Sequence, residues 1–175
     1  MESDGMYIIS SDTTINETWT LPPGSILRFH GKGHIKGTGT ISGAIIDAPL
    51  TANIFDTTIS LQNVQTYGHD FSVRWYGAGT VADNYNAIQR SINTCLANGL
   101  KHCFIPAGQY TYNRSLEIKN LYKGRYVAAT LHLYGEAGNW DDRTNLIYTG
   151  KSFALGVQVG KGTEIDHLKI SGTFY

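Results

Sequence analysis

Charge is scarce in this chain of 175 residues. Charged side chains make up 16% of it, against roughly 25% in an average soluble domain. The 14 basic and 14 acidic residues cancel. A chain without an excess of either sign has no electrostatic footprint for nucleic acid or anionic lipid, so neither partner is expected. Long apolar runs are also missing: none approaches the ~18 residues of a membrane span. The two cysteines, Cys95 and Cys103, are too few for a disulfide framework. They read as buried free thiols, with a mutual bridge as the alternative. The opening "MESDGMYIISSD" lacks a basic stretch followed by an apolar one, so no secretory signal is expected. The glycosylation patterns at Asn16 and Asn113 then carry little weight. In place of charge the chain has 20 glycines, 11 tyrosines and many Thr, Ser and Asn, the material of short strands and turns. The length suits one compact domain with a sizeable core.

The densest glycine stretch, "GKGHIKGTGTISG" at 31–43, invites a phosphate-loop reading. A dinucleotide fingerprint requires G-x-G-x-x-G between a strand and a helix. Gly31, Gly33 and Gly37 are one residue too widely spaced, and so are Gly37, Gly39 and Gly43. Pro49 follows before any helix could form. The stretch therefore reads as turns between very short strands, with Ile35, Ile41 and Ile45 each supplying a side chain to a common interior. "GKS" at 150–152 fails as a P-loop because Asn145 stands where the first glycine belongs. The following "FALGVQVG" alternates like a strand.

No metal or cofactor is expected. His30 and His34 would share one face of a strand but lie about 13 Å apart, too far for one zinc ion. His69, His102, His132 and His167 are isolated in sequence and read as structural. Asp141 and Asp142, in "GEAGNWDDRTN", are adjacent carboxylates. Neighbours in an extended chain point to opposite sides, so the pair does not suit two-carboxyl catalysis and reads as a surface loop. Trp140 beside them could stack on a sugar ring. Trp140, Asp141 and Asp142 are therefore the candidate glycan contacts, and no catalytic residue is assigned.

Residues 1–66 form a strand-rich leader of brief extended pieces: "MYIIS", "TWTL", "SILRF", "GTISGAIID" and "ISLQNV". In "SILRF", Leu27 and Phe29 share an apolar face. One segment breaks the pattern. Tyr85, Ile88, Ile92, Cys95 and Leu96 recur at helical spacings, Asp83 is placed to cap the N-terminus and Gly99 the C-terminus. An amphipathic helix is expected over about 83–98. Further strands are expected after it, near 129–134, 145–149, 153–159 and 164–170.

"VRWYGAGTVADNYNAIQRSINTCLANGLKHCFIPAGQYTY" resembles the N-terminal cap of pectate-lyase-like right-handed β-helix proteins. The matching residues are Trp75, Tyr76, Gly77 and Ala78; Asp83; Ala87, Ile88 and Gln89; and Phe104, Pro106, Gly108 and Tyr110. "LHLYGEAGN" and "EIDHLKISG" are similar to rung strands of that fold. Of the usual D-G-x-x-D-D-T turn, "GTVADNY" keeps only Asp83. The resemblance implies a mostly β chain: the N-terminal part of a right-handed parallel β-helix, a solenoid whose rungs begin in 67–175 beneath one capping α-helix. It also implies that the chain is truncated, because "KISGTFY" falls where the family's rungs have only started.

For function, the resemblance implies a structural and attachment module of a bacteriophage tailspike or fibre. Such a module would be a homotrimer in the virion tail, joined to other tail proteins and facing cell-surface polysaccharide. The alternative is the N-terminal portion of a secreted polysaccharide lyase or glycoside hydrolase acting on bacterial or plant glycans, with catalytic groups on later rungs. A free-standing carbohydrate-binding module is the third reading. The 175-residue chain itself is expected to be inactive.

Overall fold

The computed structural model describes residues 5–68, 70–122, 125–127, 130–136, 143–157 and 162–172. It is mostly β, with one α-helix. Nine short strands come first: β1 (Met6–Ile9), β2 (Asp12–Ile15), β3 (Thr18–Thr20), β4 (Ile26–Phe29), β5 (His34–Gly37), β6 (Thr40–Ser42), β7 (Ile45–Asp47), β8 (Ser60–Gln62) and β9 (Gln65–Thr66). They build three parallel sheets, ordered β1-β4-β7-β9, β2-β5 and β3-β6-β8. Met6 stands beside Ile26, and Ile26 beside Ile45. Each pass of the chain therefore lays its strands along those of the previous pass.

After β10 (Asp70–Ser72) and a 3₁₀ turn at Val73–Tyr76 comes α1 (Tyr85–Asn98). Then follow β11 (His102–Ile105), β12 (Gly108–Tyr112), β13 (Leu116–Ile118), β14 (Asn120–Tyr122), β15 (Arg125–Val127), β16 (His132–Gly135), β17 (Thr144–Tyr148), β18 (Leu155–Val157), β19 (Glu164–Asp166) and β20 (Lys169–Gly172). These form parallel sheets β10-β11-β16-β19, β12-β17-β20 and β13-β18, with β14-β15 as an antiparallel hairpin. Among the described residues no sheet closes into a barrel.

Alternation decides what faces inward. Leu27, Ile46, Ile41, Leu61, Phe71, Cys103, Leu133, Tyr110 and Leu146 sit at matched register positions and are buried in a single core cluster. The glycine stretch resolves into β5 and β6 with turns between them. Gly37, at φ 104°, occupies a conformation that a side chain would strain. One inward residue differs from expectation: Ile46, not Ile45, is the buried member of β7. Likewise, His30 and His34 do not share a strand. His30 lies in the turn after β4, and His34 Nε2 is 3.1 Å from Asp56 Oδ1.

The helix forms where its periodicity predicts. Ala87, Ile88, Ser91, Ile92, Thr94 and Cys95 are its buried residues. Asp83 Oδ1 accepts from Tyr85 N at 3.1 Å, although Asn84 holds the N-cap position. Gly99 ends the helix in the left-handed conformation. Its flanks are bonded to both groups of strands. Gln89 exchanges two 2.8 Å hydrogen bonds with the backbone of Glu117 in β13. On the other side Asn98 donates to Leu61 O and accepts from Val64 N, while Arg90 donates to Ile59 O. Trp75 Nε1 donates to Pro49 O at 2.9 Å. The helix is thus sandwiched between the two strand groups. Cys95 and Cys103 are free and buried; burial, followed by the neighbouring Cys103, pushes the Cys95 thiol well up.

Tyr112, packed 5.4 Å from Tyr148 ring to ring, has a buried hydroxyl with no hydrogen-bond partner. Burial pushes this phenol up to about 12. A phenol raised in the folded state stabilises it fully below the unfolded value, about 10, and that contribution is lost as pH rises toward 12. Tyr112→Phe is therefore expected to hold or raise stability at pH 8, by up to about 1 kcal/mol. It is also expected to lessen the fall between pH 10 and 12. Urea midpoints of both proteins across that range check this.

Candidate functional site

The outer face of the β10-β11-β16-β19 sheet gathers a cluster of titratable side chains. Phe71, Cys103 and Leu133 point inward, so their neighbours point out. Register then makes two outward rows. Asp70, His102, His132 and Glu164 form one; Phe104, Tyr134 and Asp166 form the next, whose first member, Ser72, is buried and donates to Leu50 O. Strands about 4.8 Å apart bring such side chains into contact.

The rings stack accordingly. His132 lies on Tyr134 with centroids 4.5 Å apart and planes 25° apart. Phe104 is 5.2 Å from Tyr134, and His102 is 5.5 Å from His132. Burial, then a hydrogen bond to the Asp70 carboxylate, raises the Tyr134 phenol. At the far edge Asp166 Oδ1 is 3.0 Å from His167 Nδ1 and 3.2 Å from His132 Nε2. His167 first, and His132 after it, hold this carboxyl below its usual range. The result is a half-exposed aromatic platform edged by carboxylates. It suits a polyhydroxylated ligand, whose ring faces stack and whose hydroxyls donate. It also offers one mixed set of metal donors, His132, Glu164 and Asp166, whose ligand atoms all lie within 4.8 Å of one another.

A trough beside α1 is another concavity. Two cavities of about 300 and 460 Å³ share Thr57 and Asn86. Its polar groups are already committed: Asn86 Oδ1 accepts from Arg114, Gln89 holds Glu117, and the Arg114 guanidinium covers the Tyr85 ring at 3.8 Å. It fastens the helix and leaves no free ring face for a sugar.

Trp140, Asp141 and Asp142 lie outside the described residues. On either side of them, Glu136 N donates to Thr144 Oγ1, which donates to Ile105 O at 2.6 Å. Histidines that look isolated in sequence are neighbours in space, because a parallel ladder joins residues one full pass apart. A signal existed in "HCF" and "HLY", two copies of His-apolar-aromatic at equal register. The resemblance residues are fasteners: Gln89 to β13, Trp75 to Pro49, and the Tyr110 hydroxyl to Pro106 O at 2.8 Å.

Comparison with protein-family models, curated proteins and solved structures finds no match. No helix among the described residues is long and apolar enough to cross a membrane.

Proposed function

We propose that the chain is the N-terminal part of a right-handed parallel β-helix serving as a structural and attachment module of a bacteriophage tailspike or fibre. The observation that carries this reading is the parallel register within each of the two strand groups, β1–β9 and β10–β20, in which strands of one pass pair with those of the last. A rod built this way transmits position along its axis and presents flat sheet faces outward. The apolar rows also continue to the last described strands. Leu133 and Leu146 are 0% exposed, whereas their neighbours Ile165 and Ile170 are each 38% exposed. A further coil would cover them. The aromatic and carboxylate face is the surface on which such a rod would meet cell-surface polysaccharide, with Trp140, Asp141 and Asp142 as additional contacts. Three copies in a virion tail, joined to other tail proteins, complete the proposal.

The carboxylates of that face favour a second reading, a secreted polysaccharide lyase or glycoside hydrolase. Glu164 and Asp166 have oxygens within 4.8 Å, near the ~5 Å that retaining glycosidases use. One paired experiment separates the two: the mass in solution of the full-length parent, and a depolymerisation assay with it on bacterial and plant polysaccharides. The spike reading expects a trimer, and no turnover by the 175-residue chain. A monomeric parent, or sugar release by the 175-residue chain, would overturn it.

A further inference from the structure

We infer that His132, Glu164 and Asp166 form a binding site for a zinc-class divalent cation that ties β19 to β16. The inference does not rest on the spike reading, and it competes with the enzyme reading for the Glu164 and Asp166 carboxylates. It begins with register: His132 stands beside Glu164, and Tyr134 beside Asp166. Period-two alternation puts all these side chains on one outer face. Two donors from β19 and one from β16 thus converge, all within 4.8 Å.

The separation of His132 and Asp166 is one that a shared metal ion can span. His132 Nε2 and Asp166 Oδ1 are 3.2 Å apart. Both atoms are shielded from solvent, yet neither makes a hydrogen bond of acceptable angle. Zinc binds nitrogen and oxygen at about 2.0–2.2 Å in a tetrahedron, whose edges are then about 3.3 Å long. The observed separation is such an edge. Glu164, exposed at the rim, supplies the third donor, and the fourth position faces water.

The surroundings orient the donors. The Tyr134 ring, stacked 4.5 Å from His132, fixes the plane of the imidazole. His167 Nδ1, 3.0 Å from the same Asp166 Oδ1, holds the carboxylate as well. Such neighbours of ligands set their orientation and the affinity of the site. One imidazole with two carboxylates selects zinc, cobalt or nickel over calcium and magnesium, which take oxygen-rich shells of six or more ligands. In the sheet order β19 is an edge strand. A cation shared with β16 would pin that edge, and binding only the folded state would raise its stability.

The test uses the 175-residue chain stripped with a chelator, titrated with Zn²⁺ by calorimetry and with Co²⁺ by visible absorption. One equivalent of Zn²⁺ is expected to bind, with a tetrahedral Co²⁺ spectrum that Zn²⁺ abolishes. The thermal midpoint should rise with Zn²⁺ and stay unchanged with equal Ca²⁺ or Mg²⁺. His132→Gln and Glu164→Gln should each weaken Zn²⁺ binding at least tenfold, while His30→Gln, at an exposed turn, leaves it unchanged. Circular dichroism confirms that each variant folds. Should His132→Gln unfold through loss of the Tyr134 stack, Glu164→Gln decides alone. No saturable Zn²⁺ binding, affinity undiminished in Glu164→Gln, or displacement of zinc by equal Ca²⁺ would overturn the inference.

Discussion

Ile92→Asp should leave no cooperative unfolding transition and little soluble protein. Ile92 is fully buried at the centre of α1's inward stripe. The helix is sandwiched between β8 on one side and β13 on the other, so no solvent-facing relaxation is open to a carboxylate there. Burying an unpaired charge costs about 4–5 kcal/mol or more, comparable to the whole stability of many domains, about 5–15 kcal/mol. Asn93→Asp is the control. It adds the same charge one position on, at an exposed site, and keeps the oxygen that accepts from Gln89 Nε2. Circular dichroism melts and size-exclusion profiles of the two variants make the comparison. A monodisperse, two-state Ile92→Asp protein would mean that the helix is not packed between the strand groups.

Gly33→Ala is the second change expected to do large damage, from the smallest possible addition. A Cβ at Gly33 would fall far inside van der Waals contact distance of the Ile9 carbonyl oxygen, a backbone atom of the preceding pass. That carbonyl also accepts from His30 N at 2.9 Å, so it cannot move away without breaking a bond between passes. Overpacking of this kind costs about 1–3 kcal/mol, and loss of the cross-pass bond adds to it. Gly31→Ala is the comparison, because nothing lies within 4 Å of a Cβ there and its penalty is conformational alone, at φ 64°. In urea titrations Gly33→Ala should lower the midpoint more than Gly31→Ala. Equal effects would mean that the passes are not stacked this tightly.

The contrast between these glycines shows what sequence reasoning can reach. Spacing alone rejected a phosphate loop at 31–43 and predicted short strands, and β5 and β6 are there. The helix was legible because 3.6-residue periodicity is a local signal, and Ile88, Ile92 and Cys95 fill the buried stripe it predicts. β2, "DTTI", was not legible. Asp12 and Thr14 are exposed and Thr13 and Ile15 only partly buried, so its place is set largely by the ladder to β5. Hydrophobicity could not decide between Ile45 and Ile46 either; the pairing of Ile46 with Leu27 decides it. The β14-β15 hairpin carries no pattern distinguishing it from the parallel strands around it.

The same limit hid the His132, Glu164 and Asp166 group. Each of its members is unremarkable in its own segment, and Glu164 lies far along the chain from His132. Only the register between β16 and β19 makes them neighbours. The Trp140, Asp141 and Asp142 grouping had the opposite character, being adjacent in sequence and therefore easy to notice. Adjacency along an extended strand says little about convergence.

The steady advance from Met6 to Ile26 to Ile45 has an architectural corollary. Within β1–β9, a segment equal to the offset between a strand and its parallel neighbour could be excised or duplicated and still leave inward side chains opposite inward partners. Removing a fraction of that offset would rotate the apolar rows out into water. The number of strands in such a parallel ladder is therefore adjustable in discrete increments, like links in a chain.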